Sequence, residues 1–180
     1  MSGFTRDKNK SIEFFKKNKK KLEDICNGTF YSVESYSNEI CELLDGHSKI
    51  DLLLLKNNKI YPFAQRVNLN ESNHNNITIR YSRDNGKSID NVEFMSSIHI
   101  FKDKQRPLIA EWYINADSDK KYNMINHILY NKRIVFNHIN KNLEYYKKKY
   151  LKENSSDGNE YFKLSYEDVK KINKEYDANN

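Results

Sequence analysis

Residues 50–67 read Ile50-Asp51-Leu52-Leu53-Leu54-Leu55-Lys56-Asn57-Asn58-Lys59-Ile60-Tyr61-Pro62-Phe63-Ala64-Gln65-Arg66-Val67. An acidic residue opens an apolar run, a short polar turn follows, and a second run ends in an arginine. Two strand-forming runs separated by so short a polar turn predict an antiparallel hairpin, with strands at 49–55 and 59–68. The first is apolar on both faces after Asp51, which predicts a central, doubly covered strand. Pro62 has no N–H to give, so the second strand either starts near Phe63 or leaves Pro62 at an unpaired position. The Asn-rich stretch 68–76 reads as a loop. A third strand, 76–83, carries Arg80 and Arg83 into the turn Asp84-Asn85-Gly86-Lys87.

Working outward, residues 1–10 are polar and read as a loose N-terminus. A helix is expected from Ser11, which would cap it, to the stop at Asn27-Gly28. Ile12, Phe15, Leu22 and Ile25 form its apolar face, and Lys16, Lys17, Lys19, Lys20 and Lys21 a solvated one. A second helical piece covers Ser37–Leu44. After the third strand, Ser88 opens a helix to about Phe101, with Ile89, Val92, Met95 and Ile98 inward. A strand is expected over 107–114, a helix over 119–130, a short strand at 133–136, a helix over 138–153 and a last strand at 161–164. Ser165-Tyr166-Glu167-Asp168 reads as an N-cap for a final helix. The order gives an α+β fold, a central mixed sheet flanked by helices, as a single domain over 11–176 with a tail at 177–180.

Charged residues make up 31% of the 180 residues and hydrophobic ones 37%, so aromatic side chains must supply much of the core; there are 13 tyrosines and 9 phenylalanines. The net charge of +6 and the pI near 9.1 point mildly to an anionic partner. A lysine-rich coding background would give the same excess. Cys26 and Cys41 have neither zinc-site nor disulfide-framework spacing, so buried free thiols in a reducing compartment are expected. The five histidines show no metal spacing, and no phosphate-binding glycine motif is present. The polar N-terminus carries no signal-peptide core. The longest apolar run, Leu52-Leu53-Leu54-Leu55, is far short of the ~20 residues that span a membrane. A soluble cytoplasmic protein without a membrane partner is the expectation.

The placement of Asp51 and Arg66 resembles the PD-(D/E)xK nuclease superfamily. More closely, residues 49–114 look like a family of small phage and mobile-element proteins, through Ile50-Asp51-Leu52, Phe63-Ala64-Gln65-Arg66-Val67 and Ile77-Thr78-Ile79-Arg80-Tyr81-Ser82-Arg83-Asp84-Asn85-Gly86, followed by Asp90 and Glu93. The likeness covers a little over a third of the chain. It implies a restriction-endonuclease-like core and Mg²⁺-dependent phosphodiester hydrolysis. It places Asp51, Gln65, Arg66 and Glu93 at the catalytic site, with Asp51 and Glu39 as metal ligands. The motif departs from its pattern at the E-x-K pair. Residues two apart on a strand share a face, and the same-face partner of Arg66 is Ala64, not a glutamate. Arginine also does not deprotonate, so it can hold a phosphate but not carry the lysine's proton.

Each assignment has a plainer counterpart. Asp51 could pair with Arg66 across the hairpin for structure alone. Glu93 could be a solvated helix carboxylate. Arg80, Arg83 and Lys87, beside the turn's backbone N–H groups, suit a phosphate cradle, or they guard a strand edge by charge. Three functions follow: a metal-dependent nuclease with an incomplete motif, a non-catalytic nucleic-acid-binding module with DNA favoured over RNA, or a protein-interaction factor such as an inhibitor or antidefence protein.

Overall fold

A computed structural model describes residues 3–35, 39–46, 49–69, 74–83, 93–102, 109–155 and 158–178. The chain is α+β and divides into two compact units, Met1–Asn75 with Leu108–Leu129, and Asn76–Pro107 with Tyr130–Asn180.

The first unit is built on helix α1 (Gly3–Cys26) and a five-stranded mixed sheet. Its strands are β1 (Thr29–Ser32), β2 (Leu52–Lys56), β3 (Lys59–Leu69), β5 (Trp112–Ser118) and β6 (Met124–Asn131), in that spatial order, and helix α2 (Glu39–Gly46) links β1 to β2. The β2–β3 hairpin is antiparallel, with Leu52 opposite Phe63. Asn57 and Asn58 both take positive φ, the conformation a two-residue hairpin turn needs and asparagine tolerates. β3 then runs parallel to β5. Pro62 lies inside β3 without breaking it. Phe63 turns its carbonyl to β2, where it accepts from Asp51 N–H. Pro62 therefore faces the other side, and pairing with β5 begins only at Phe63.

The doubly covered strand is β5, not β2: residues 113–118 are all buried. Leu52 and Leu54 pack beneath α1, but Leu55 on the other face is 39% exposed. The helix begins at Gly3 rather than Ser11, because nothing in Thr5–Lys10 interrupts helical hydrogen bonding. Ser11 is accordingly interior and buried. The helix's inner face is Phe14, Phe15, Asn18, Leu22 and Cys26, while Ile25 points out. Asn27 takes the left-handed cap position and Gly28 N–H bonds Glu23 O, the closing bond of a Schellman end. A Cβ on Gly28 would stand 2.8 Å from Leu55 O, so the glycine is required by close approach.

The stretch 119–130 is a turn and strand, not a helix. Asp119 Oδ1 accepts from the N–H groups of Lys121 and Asn123, and Tyr122 has φ 62, which folds β6 back along β5. Three α1 side chains hold this turn: Asn18 bonds Tyr122 O and Met124 N–H, Lys17 bonds Lys121 O, and Lys21 bonds Met124 O. Lys17 and Lys21 thus leave the purely solvated face expected of them.

The second unit carries an antiparallel three-stranded sheet in the order β4 (Asn76–Ser82), β8 (Glu160–Ser165), β7 (Leu151–Glu153). Helices α3 (Glu93–Lys102), α4 (Lys132–Lys141), α5 (Leu143–Tyr150) and α6 (Tyr166–Ala178) complete it. The stretch 133–136 lies in α4, whose start Asn131 caps by accepting from Arg133 and Ile134 N–H. The expected helix over 138–153 ends earlier, at Tyr150, and its last residues form β7. Residues 107–108 lie outside the described residues, and the strand expected there starts at Trp112. Phe94, Phe136, Phe162 and Tyr81 form a ring cluster with centroids 5.1–6.1 Å apart. The capping box at Ser165 is present: Ser165 Oγ accepts from Asp168 N–H and the Asp168 carboxylate from Ser165 N–H.

Candidate functional site

Asp51 and Gln65 meet through the main chain. Asp51 sits just before β2, where pairing with β3 ends, and its Oδ2 accepts from Gln65 N–H at 2.5 Å. The carboxylate thereby takes the place of the next ladder partner. The Gln65 side chain goes to the α1 face, where Nε2 donates to Ser11 O and Oγ at 2.9 and 2.8 Å. Its Oε1 is a buried oxygen without a hydrogen-bond partner. Strand alternation turns Arg66 to the opposite face, with its guanidinium 5.6 Å from the Tyr113 ring centroid. Glu39 is exposed on the first turn of α2.

Glu93 belongs to the second unit. It opens α3, and its Oε2 accepts from Arg80 N–H at 3.2 Å, covering the outer edge of β4. Arg80 and Arg83 are both exposed. Lys87 and Asp90 lie outside the described residues. Among the described residues, no group of three or more His, Cys, Asp and Glu side chains gathers as ligands of a metal ion would.

The strongest constellation is on the second unit's sheet. One face is apolar: Ile77, Ile79, Tyr81, Phe162 and Leu164 are buried. Alternation places Thr78, Arg80, Tyr161, Lys163 and Lys152 on the other face. Arg80 pairs with Tyr161, and Tyr161 with Lys152, so cation, aromatic and cation form one row across three strands, about 10 Å from end to end. Thr78 and Lys163 form the next row. Arg80, Lys152, Lys163 and Thr78 are exposed and Tyr161 is half-buried. Among the described residues, none of the three cations has a carboxylate within ion-pair distance. Glu153 and Glu160 fall on the opposite face by the same alternation, and Glu160 accepts from Ser82 Oγ.

Elsewhere in this unit, Lys149 donates to Tyr145 Oη and its ammonium lies 4.9 Å from the Tyr150 ring centroid. Burial, and after it the neighbouring Tyr150 and Tyr145, push the Tyr146 hydroxyl up to about 12, so it stays neutral.

Of this face, Arg80 is expected from the sequence; Lys152, Tyr161 and Lys163 are not. The signal for two of them was legible, since Tyr161-Phe162-Lys163-Leu164-Ser165 alternates apolar and polar residues. Lys152 was hidden by a tyrosine and lysine periodicity that continues from the preceding helix. No family model matches the chain, and neither a curated protein nor a solved structure matches it.

Proposed function

We propose that the chain is a nucleic-acid-binding protein that grips phosphates through Arg80, Lys152 and Lys163 on the open sheet face, without cleaving the strand. The observation that carries this is the row Arg80–Tyr161–Lys152, whose cations have no carboxylate within ion-pair distance among the described residues. Cations gathered on one sheet face are what a polyanion's phosphates neutralise, and counterion release drives such binding.

The restriction-endonuclease-like core and its chemistry belong to the same proposal. Support for the core comes from the helix, the antiparallel β2–β3 hairpin opened by Asp51, and the parallel β3–β5 pairing. In a catalytic form, Asp51 would hold Mg²⁺ and Arg66 would meet the phosphate, but the Gln65 side chain, expected as a neutral donor, is turned to Ser11 on the other face of β3 from Arg66. Binding is favoured over cleavage because Asp51 closes a ladder position and Glu93 covers the β4 edge, both structural roles. Titration of labelled oligonucleotides separates the two. Wild type and Asp51→Asn should bind equally and leave the strand intact with Mg²⁺, while the Arg80→Ala/Lys152→Ala/Lys163→Ala variant loses binding. Mg²⁺-dependent cleavage that disappears in a folded Asp51→Asn protein would establish the nuclease instead.

One observation favours a protein-interaction role. On the first unit's sheet, Tyr31, Leu53 and Pro62 form one row and Leu55 and Ile60 lie beside it, on the face away from α1. Tyr31 is 50% and Ile60 66% exposed. Exposed Tyr31, Leu55 and Ile60 around half-buried Leu53 and Pro62 make an apolar patch, a common mark of protein contact. This reading predicts that Ile60→Asp abolishes capture of a protein partner while oligonucleotide titration shows no binding at physiological salt.

A further inference from the structure

Resting on the nucleic-acid-binding reading, we propose that the open sheet face selects single-stranded over double-stranded nucleic acid, with a base stacked on Tyr161. Phosphate contacts alone would not discriminate, because lysine and arginine meet the backbone of either form. What the face adds is an aromatic ring in its middle. Tyr161 is on β8, the central strand of the three, and has Arg80 and Lys152 directly across from it on either side. Lys163 stands two residues along the same strand and same face, about 7 Å away.

This arrangement suits a strand whose bases are free. An unpaired base can lay its π-face on the tyrosine while the adjoining phosphates run past the flanking cations. In a duplex the base faces are stacked on one another and only edges and backbone are offered, so the ring would have nothing to receive. The other non-ionic polar residues of the face, Asn76, Thr78 and Ser165, are smaller than the ring and non-aromatic, so Tyr161 is the one stacking surface among them. Stacking does not depend on base identity, so weak sequence preference follows.

The test is fluorescence anisotropy at physiological salt with a labelled oligothymidine strand and a mixed-sequence duplex of equal length. The proteins are the full-length wild type, Tyr161→Ala, Tyr161→Phe and the triple cation variant, each checked for cooperative thermal unfolding. Wild type should bind the single strand more tightly. Tyr161→Ala should weaken single-strand binding about 5- to 150-fold, the loss of one stacked base, and leave duplex binding unchanged. Tyr161→Phe should retain the single-strand affinity, which a fold defect in the alanine variant would not explain. The inference is overturned if wild type prefers the duplex, or if Tyr161→Ala weakens both forms equally or neither. Should the triple variant abolish binding while Tyr161→Ala has no effect, single-strand selection fails and phosphate binding stands. If neither nucleic acid binds, both fail.

Discussion

Replacing Asp51 by alanine removes the hydrogen bond that its carboxylate accepts from Gln65 N–H, while the neighbouring main-chain bonds remain. The bond from Gln65 N–H to Oδ2 at 2.5 Å is lost. Those from Asp51 N–H to Phe63 O and from Val33 N–H to Asp51 O stay, because both belong to the backbone. Gln65 is only 7% exposed, so water does not readily replace the missing acceptor. A hydrogen bond to a charged group contributes about 1.5–3 kcal/mol, and a buried donor left alone costs a similar amount; these are one loss counted from two sides. For a chain of 180 residues, 1 kcal/mol corresponds to about 2–4 °C, so the melting temperature should fall by about 3–12 °C. Trp112, the chain's only tryptophan, stacks on Phe63 with centroids 6.1 Å apart and reports this unit by its fluorescence during urea unfolding. Asp51→Asn keeps an oxygen that can accept and loses only the charge, so it should lose about half as much stability as the alanine variant. A carboxylate kept for a metal rather than for the fold would behave otherwise: without metal, both variants would unfold at the wild-type urea concentration. That result would refute the structural role given to Asp51.

Further outcomes follow from the second unit and from the thiols. Phe94→Ala, at the centre of the ring cluster and fully buried, should cost about 3–5 kcal/mol in chemical denaturation. Asp168→Ala removes the acceptor for Ser165 and Tyr150 and should cost about 1–2 kcal/mol at neutral pH. Burial pushes the Asp168 carboxyl up, but the hydrogen bonds from Ser165 and Tyr150 outweigh it and hold it below its ordinary 3.8. Its contribution is therefore complete above 3.8 and is lost as pH falls through the lower folded value, so wild type and Asp168→Ala should converge in acid denaturation there. Burial raises the Cys26 thiol against the lowering effect of Lys56, so it should react with a thiol reagent at pH 8 far more slowly in the folded than in the unfolded protein.

The hairpin at the centre of the first unit was legible because a short polar turn between two strand-forming runs admits one local solution, and Asn57-Asn58 supplies its backbone conformation. The final capping box was legible for the same reason: its partners lie three residues apart. The β5–β6 hairpin was not. Its turn depends on the Asp119 carboxylate gathering two N–H groups and on α1 side chains more than 100 residues away in sequence, so local propensity gave no guide. β1 was too short to stand out. At the candidate site, sequence singled out Arg80 correctly as an exposed strand cation, but the residues that surround it come from β7 and β8. Only the register of a sheet formed across some 80 residues joins them, and no local pattern contains that pairing. Asp51 meets Gln65 by a carboxylate-to-backbone bond, whereas the sequence reading sets the Gln65 side chain beside it as a ligand; that side chain is turned to Ser11, a contact between residues 54 apart in sequence that no local pattern announces.

The most direct measurement is the salt dependence of oligonucleotide binding by wild type and by the triple variant lacking the Arg80, Lys152 and Lys163 charges. Each phosphate neutralised on a single strand contributes about 0.7 to the slope of log affinity against log salt. Three contacts removed should flatten that slope by about 2 and lower affinity at physiological salt. An unchanged slope in the triple variant would contradict the account, because the phosphates would then be meeting some other surface.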